Sequence, residues 1–141
     1  MLERLQKTHP IDELNPVVPA AEFIACQEAA REVYVDARVR RYLLEIIQAT
    51  REHDDLHLGG SPRASIALYR TAQAWAAIHN RNFVMPDDVK RMVQPVLAHR
   101  VILRPESRLR KVTNAALLHE IVGDVRVPVP AHRESEKDAW G

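Results

Sequence analysis

The sequence predicts an all-α protein, a small helical bundle, and three observations support this prediction. The patterned stretches are rich in Ala, Leu, Arg, Glu and Gln, which lose little side-chain freedom in a helix. Their apolar residues recur at intervals of three and four. Aromatic residues make up only 5% of the chain and glycine occurs four times, so the signal for strands is weak. A chain of 141 residues can close one core, and a single domain is expected.

Helix-start residues and apolar spacing together predict five helices. Asp36 and Ser61 have the chemistry of N-caps, and Pro62 and Pro86 suit the first helical position. Pro95 should kink or end the fourth helix, because proline lacks the amide that a helix needs. The predicted spans are about 20–31, 37–51, 62–79, from 86 onward, and 113–122, with Gly123 ending the last. The third is apolar nearly all round and is expected to be central and buried.

Two short β-favouring runs interrupt the helical pattern. Val33–Val35 and Val101–Leu103 are each three residues long and rich in branched side chains. We expect them to pair as a minimal two-stranded element within the helical domain.

Prolines and polarity suggest where the domain begins and ends. Pro10 and Pro16 break any regular structure near the start, so residues 1–18 are expected to be a connecting segment. Residues 19–128 should form the helical domain. Residues 129–141 are polar and are expected to be a flexible tail.

Charge and cysteine content exclude several classes of protein. The formal net charge is +1, so no global field attracts nucleic acid or acidic membranes. Cys26 is the only cysteine, which rules out an internal disulfide, fits a reducing compartment and predicts a small buried side chain. No apolar run approaches a membrane span, and no signal-peptide pattern follows Met1. A cytoplasmic location without a membrane partner is expected.

The turn Gly59-Gly60-Ser61-Pro62-Arg63 carries the strongest chemical signal. A helix N-terminus presents unpaired amides and favours anions, so Arg63 in the first turn makes sense where an anion completes the arrangement. Gly59 and Gly60 let the backbone approach a ligand closely, and arginine offers a planar fork of donors to phosphate. The same residues also fit a capped helix with a solvated arginine. The residues alone leave both interpretations open.

Residues from about 17 to 128 resemble the C-terminal lid of the MoxR branch of AAA+ ATPases. The stretches that carry the resemblance are 33–35, Ala49-Thr50-Arg51, 58–64, Asn80-Arg81-Asn82-Phe83-Val84, 86–89, 99–101 and 125–128. In such lids the arginine of the Ser-Pro-Arg turn is the sensor-2 residue, which touches the terminal phosphate of ATP. The resemblance gives that role to Arg63, supported by Gly59, Gly60, Ser61 and Pro62. The chain departs from the family at Asn80, where glycine is usual, and at Met85, where threonine often caps.

The resemblance also implies what lies around such a lid. ATP and Mg²⁺ would be held by an AAA+ nucleotide-binding core, in the same polypeptide or a neighbouring subunit of a homo-oligomeric ring. The parent would be a chaperone-like ATPase, with a von Willebrand factor A domain protein among its partners. The sequence itself has no Gly-x-x-x-x-Gly-Lys-Ser/Thr loop and no acidic strand end, so catalytic residues are not expected here. This chain alone should neither hydrolyse ATP nor bind it tightly.

Other constellations favour weaker interpretations. His53 and His57 stand four apart, but they lie in a predicted polar loop without a third ligand, so no metal site is expected. A basic cluster could contact nucleic acid, although a solvated face or subunit contact suits it better; its members are Arg100, Arg104, Arg108, Arg110 and Lys111.

Residues 83–96 are also typical of the end of a histone fold, which leaves a stand-alone DNA-binding protein as the alternative function. A passive interaction module is the third class.

Overall fold

The computed structural model of the chain describes residues 15–128, and within them it is a helical bundle with one minimal sheet. The helices are α1 (Ala20–Arg31), α2 (Ala37–Glu52), α3 (Pro62–Ile78), α4 (Pro86–Leu97), α5 (Pro105–Leu109) and α6 (Asn114–Asp124). The strands are β1 (Leu56–Leu58) and β2 (Ile102–Leu103). The predicted all-α class is confirmed, and α5 is an addition that the apolar spacing did not indicate. Most of the predicted connecting segment and all of the predicted tail lie outside the described residues.

The core forms where α3 packs against α2 and α4 and where α6 closes over α2 and α4. The predicted stripe of α2 is buried throughout; it consists of Val39, Tyr42, Leu43, Ile46 and Ile47. Leu68 of α3, Val89 of α4 and Leu117 of α6 are buried in the same cluster. Removing these side chains from water is the main stabilising term of the fold. Within the described residues, no helix combines the length and the apolar character needed to cross a membrane.

Two burial predictions were wrong. Helix α3 is not covered all round, since Ile66 and Ile78 are 64% and 74% exposed. Cys26 is exposed because it lies on α1, and α1 buries none of its own side chains. Both α3 and α1 therefore carry apolar residues on faces that no other described element covers.

Two helix ends differ from the predictions. Pro95 does not end α4, which continues to Leu97 because Val96 and Leu97 are both buried in the core; a kink at Pro95 stays a prediction. Helix α6 likewise runs through Gly123 to Asp124. The N-cap predictions are confirmed: Asp36 accepts a hydrogen bond from the Arg38 amide at 2.8 Å, and Ser61 caps α3.

A minimal sheet is present, but the predicted pairing of Val33–Val35 with Val101–Leu103 was wrong. Strand β2 pairs antiparallel with β1, which lies in the segment predicted to be a polar loop. Leu56 and Leu103 are register partners and are both buried, whereas Leu58 is exposed, so β1 contributes to the core through Leu56. Residue Tyr34 instead forms a parallel bridge with Phe83: its amide donates to the Asn82 carbonyl at 2.9 Å.

The turn between α3 and α4 is held by a partly buried ion pair between Arg81 and Asp88. Asn80 is left-handed with φ 56°, a conformation that asparagine tolerates better than most residues at a position where the family usually has glycine. Arg81 donates from Nη1 and Nη2 to Asp88 Oδ2 and Oδ1, each at 2.6 Å. Asp88 Oδ2 also accepts from the Met85 amide at 2.7 Å. Met85 makes no side-chain cap where the family often has threonine, and Asp88 accepts from the Met85 amide at the start of α4 instead.

The polar side chain of Gln73 ties α3 to the connection between α1 and α2. Its Nε2 donates to the carbonyls of Arg31 and Val33, at 2.9 and 2.8 Å, and only 2% of the residue is exposed. The Arg31 carbonyl belongs to the last residue of α1, and the Val33 carbonyl lies in the connection between α1 and α2. The bond therefore sets where α1 ends against α3.

We predict that Asp88→Asn lowers the free energy of unfolding by about 3 kcal/mol at pH 7, because it leaves Arg81 without its bidentate partner. Burial alone raises the pKa of Asp88, but hydrogen bonds from Arg81 and the Met85 amide outweigh it and lower that pKa overall. The stabilisation is therefore present above the ordinary value, about 4, and is lost as the pH falls through the lowered one. Urea unfolding of both proteins should show their difference shrinking below about pH 4. A difference independent of pH would contradict this.

Candidate functional site

The Gly59–Arg63 turn is attached to the last turn of α2 through Thr50. The Gly60 amide donates to Thr50 Oγ1 at 2.8 Å, and that hydroxyl donates to the Ile47 carbonyl at 2.6 Å. Thr50 is fully buried. One hydroxyl thus accepts from the turn and donates to the helix, and neither bond competes with water.

The neighbouring Arg51 holds the other polar group of the same glycine. Its Nε donates to the Gly60 carbonyl at 2.7 Å. Both backbone groups of Gly60 are therefore bound by consecutive residues of α2. The peptide units before and after Gly60 are each held by one hydrogen bond, so neither can rotate without breaking a buried bond or a charge-assisted one. The turn is consequently a rigid platform for the start of α3.

Close approach, not unusual dihedral angles, explains the two glycines of the turn. Neither has a positive φ. A Cβ on Gly59 would lie 2.5 Å from the Thr50 carbonyl oxygen and 2.6 Å from the Arg51 Cα, which are immovable backbone atoms. A Cβ on Gly60 would meet the Ile47 Cδ1 at 3.1 Å, a milder contact. Helix α2 is thus the nearest neighbour of both glycines.

Helix α3 begins directly after this platform. Ser61 Oγ accepts from the Ala64 amide at 3.3 Å, and Pro62 occupies the first helical position. Arg63 is exposed, and within residues 15–128 its guanidinium makes no hydrogen bond or ion pair. A cation left unpaired in the first turn is disfavoured by the helix dipole and is available to an anion.

Sequence reasoning placed the five residues of the turn together correctly but did not name the two that hold it. Thr50 and Arg51 entered only as part of the resemblance. A hydroxyl residue and an arginine in the last turn of a helix, a few residues before paired glycines, are the signal that could have found them. Only the fold shows that the loop between them returns to the same helix end.

The structure gives the other candidate residues local partners. His53 Nδ1 accepts from the Asp55 amide at 3.1 Å, and His57 lies in β1. Across residues 15–128, no group of three His, Cys, Asp or Glu side chains is placed to hold a metal. Arg110 pairs with Asp55, whose pKa is held below its ordinary value by a hydrogen bond from Ser107 and by the Arg110 charge.

Two more arginines of the basic cluster donate hydrogen bonds to backbone carbonyls. Arg104 Nε donates to the Leu56 carbonyl at 3.3 Å, and Arg100 Nη1 donates to the Val96 carbonyl at 2.9 Å. With Arg110 they stabilise loops and a helix end. The cluster is not a continuous stripe of free cations.

We predict that Gly59→Ala lowers the free energy of unfolding by about 3 kcal/mol, because its Cβ collides with backbone. Gly60→Ala should cost only about 1 kcal/mol, since Ile47 can yield. Gly123→Ala is the matched control: nothing lies within 4 Å of its Cβ, and a helical alanine should add about 0.5–1 kcal/mol. Urea denaturation measures all three. Equal stability of the Gly59 and Gly123 variants would contradict the close approach.

We predict that Thr50→Val destabilises the chain by about 2 kcal/mol, because the buried Gly60 amide loses its acceptor without a change in side-chain volume. Thr50→Ser keeps the hydroxyl and should cost about 1 kcal/mol for the lost methyl group. Amide hydrogen exchange at Gly60 should accelerate in the valine variant and stay slow in the serine variant. Slow exchange in both would show that the hydroxyl does not hold the turn.

Comparison with known proteins identifies the domain. The AAA lid domain family matches residues 48–121, just over half of the chain, from the end of α2 through most of α6. The match contains the whole turn and both residues that hold it. Residues 83–96, on which the histone-fold alternative rested, lie within this match.

Relatives extend the similarity over the rest of the chain. It is 40% identical to the Bacillus subtilis protein YeaC, itself uncharacterized, over 92% of this chain, and 23% identical to the chaperone MoxR1 of Mycobacterium tuberculosis over 91%. The crystal structure of a presumed ATPase from Cytophaga hutchinsonii superposes with a TM-score of 0.69 at 28% identity, covering 72% of this chain and 34% of that one. The chain spans 40% and 36% of the length of the two relatives. The chain belongs to the AAA lid domain family and is a MoxR-type AAA+ lid.

Proposed function

We propose that this lid senses ATP through Arg63, which contacts the terminal phosphate of a nucleotide held by an AAA+ core. The observation that carries the proposal is the placement of Arg63, an exposed cation without a partner in residues 15–128, in the first turn of α3. Phosphate oxygens are the natural partners of such a guanidinium at a helix N-terminus. Membership of the MoxR-type AAA+ lid family supports an AAA+ core as the domain that would hold the nucleotide.

The rigidity of the turn supports this role. Thr50 and Arg51 fix Gly60, and Gly60 fixes the start of α3. A phosphate contact by Arg63 would therefore move α3, and with it the packed bundle, as a unit. The contact would favour the lid position in which the terminal phosphate is within reach, and loss of that phosphate would release it.

Catalysis itself would belong to the rest of the parent protein. The sequence carries no phosphate-binding loop, so ATP and Mg²⁺ would be bound by the core, and this chain alone should not hydrolyse ATP. A ring of subunits would bring core and lid together. The chaperone name of the Mycobacterium tuberculosis relative supports a chaperone-like parent, acting in the cytoplasm, with a von Willebrand factor A domain protein as a further proposed partner.

We predict that Arg63→Ala in the full-length parent lowers the rate of ATP hydrolysis roughly tenfold or more, because a charge-assisted contact to the reacting phosphate is lost. Arg108→Ala is the matched control, since Arg108 is another exposed arginine, on α5. Steady-state hydrolysis and nucleotide affinity should be measured together with thermal unfolding. Folded Arg63→Ala protein with unchanged turnover and unchanged ATP affinity would refute the sensor role.

A further inference from the structure

An open groove runs along the outer faces of α2 and α3. It consists of two adjoining depressions, of about 770 and 420 Å³. Arg40, Leu44 and Ser65 line both, so the two form one continuous surface. We call this surface the α2–α3 groove. It begins beside Pro62, next to the turn, and ends at Arg70.

The centre of the α2–α3 groove is aliphatic. Leu44 is 57% exposed and Ile66 is 64% exposed, and they face the groove from opposite helices. Leu44 stands outside the buried stripe of α2, so the core does not require an aliphatic side chain there. The two side chains give the groove an apolar centre that aliphatic side chains of a partner can cover.

The rim of the α2–α3 groove is strongly basic. Four arginines line it, Arg40, Arg41, Arg51 and Arg70, against one acid, Glu45. Glu45 lies 4.0 Å from Arg41 and offsets only part of that charge. Because the whole chain carries a net charge of only +1, this concentration is local. Within residues 15–128, Arg51 and Arg70 each use one donor, to Gly60 and Gln73, and every guanidinium has five.

We propose that the α2–α3 groove binds an acidic amphipathic segment of a partner protein. Aliphatic side chains of that segment cover Leu44 and Ile66, and its carboxylates pair with the flanking arginines. Charge complementarity of this kind selects the partner and speeds association. The inference is independent of any contact between Arg63 and ATP.

A nucleic acid fits the same groove less well. Its phosphates could pair with the arginines, but its sugar–phosphate surface has no aliphatic groups to cover Leu44 and Ile66. Base stacking would need an open ring. The ring of Tyr69, which lines the groove, is half-buried and carries the Arg70 guanidinium 5.7 Å from its centroid. The apolar centre therefore favours a polypeptide.

The test uses the 141-residue chain and a fluorescein-labelled peptide of about 16 residues, with leucines at helical spacing and glutamates on both sides. Fluorescence anisotropy should show a dissociation constant on the order of tens of micromolar, weakening as salt is raised. Replacing the peptide's glutamates by glutamine, or its leucines by alanine, should weaken binding at least fivefold. A deoxythymidine oligonucleotide of equal length should bind more weakly than the acidic peptide.

Two variants of the chain and two matched controls locate the binding surface. Arg40→Glu should weaken peptide binding about tenfold and Leu44→Ala about fivefold. Arg108→Glu and Leu109→Ala make the same changes at exposed positions of α5 and should stay within about twofold. All four positions are exposed, so the variants should fold, which circular dichroism checks.

Four outcomes would overturn the proposal. They are no binding at about 1 mM peptide, equal losses in the groove and control variants, tighter binding of the oligonucleotide, and self-association of the chain that Arg40→Glu abolishes. Self-association of this kind would show that the groove binds a second copy of the same chain. If the full-length parent with Arg40→Glu loses peptide binding but hydrolyses ATP at the normal rate, the α2–α3 groove and Arg63 have separate roles.

Discussion

Gly60 is bound through both its amide and its carbonyl by two consecutive residues of α2, and the start of α3 follows from that attachment. The Thr50 hydroxyl and the Arg51 Nε approach the glycine from the same helix end, at 2.8 and 2.7 Å. Gly59 permits the contact because any Cβ would collide with the backbone of α2. Ser61 then caps α3, and the central helix of the bundle begins from a fixed point. The direction of α3 in turn sets where α1 and α4 can pack.

Polar side chains also bind backbone groups at other connections of the fold. Gln73 binds the carbonyls of Arg31 and Val33, and Asp88 binds the Met85 amide while Arg81 holds it in place. In each case a buried or half-buried polar side chain satisfies backbone groups that a helix end leaves unpaired. The apolar core supplies most of the stability, but it is not directional. These few polar contacts give the connections between helices defined positions.

The two proposed surfaces differ in how much of the chain they require. Arg63 would act through a single guanidinium on a rigid turn, so its effect depends on a nucleotide that another domain holds. The α2–α3 groove combines exposed aliphatic and basic side chains over several turns of two helices. Both start at the same end of α3, since Pro62 and Ser65 border the groove and flank Arg63. A partner in the groove would therefore lie beside the turn.

The sequence by itself determined the helical class, the bounds of α1, the caps at Asp36 and Ser61, and the grouping of Gly59 to Arg63. These follow from local spacing and from chemistry within one turn, which a linear pattern records directly. Only the tertiary structure decided that β2 pairs with β1, that α4 continues past Pro95, that Cys26 is exposed, and that Thr50 and Arg51 hold Gly60. The physical reason is that strand partners, burial and long-range hydrogen bonds depend on which segments meet in space. Competing short runs with similar local preference, such as Val33–Val35 and Leu56–Leu58, are distinguished only by that packing.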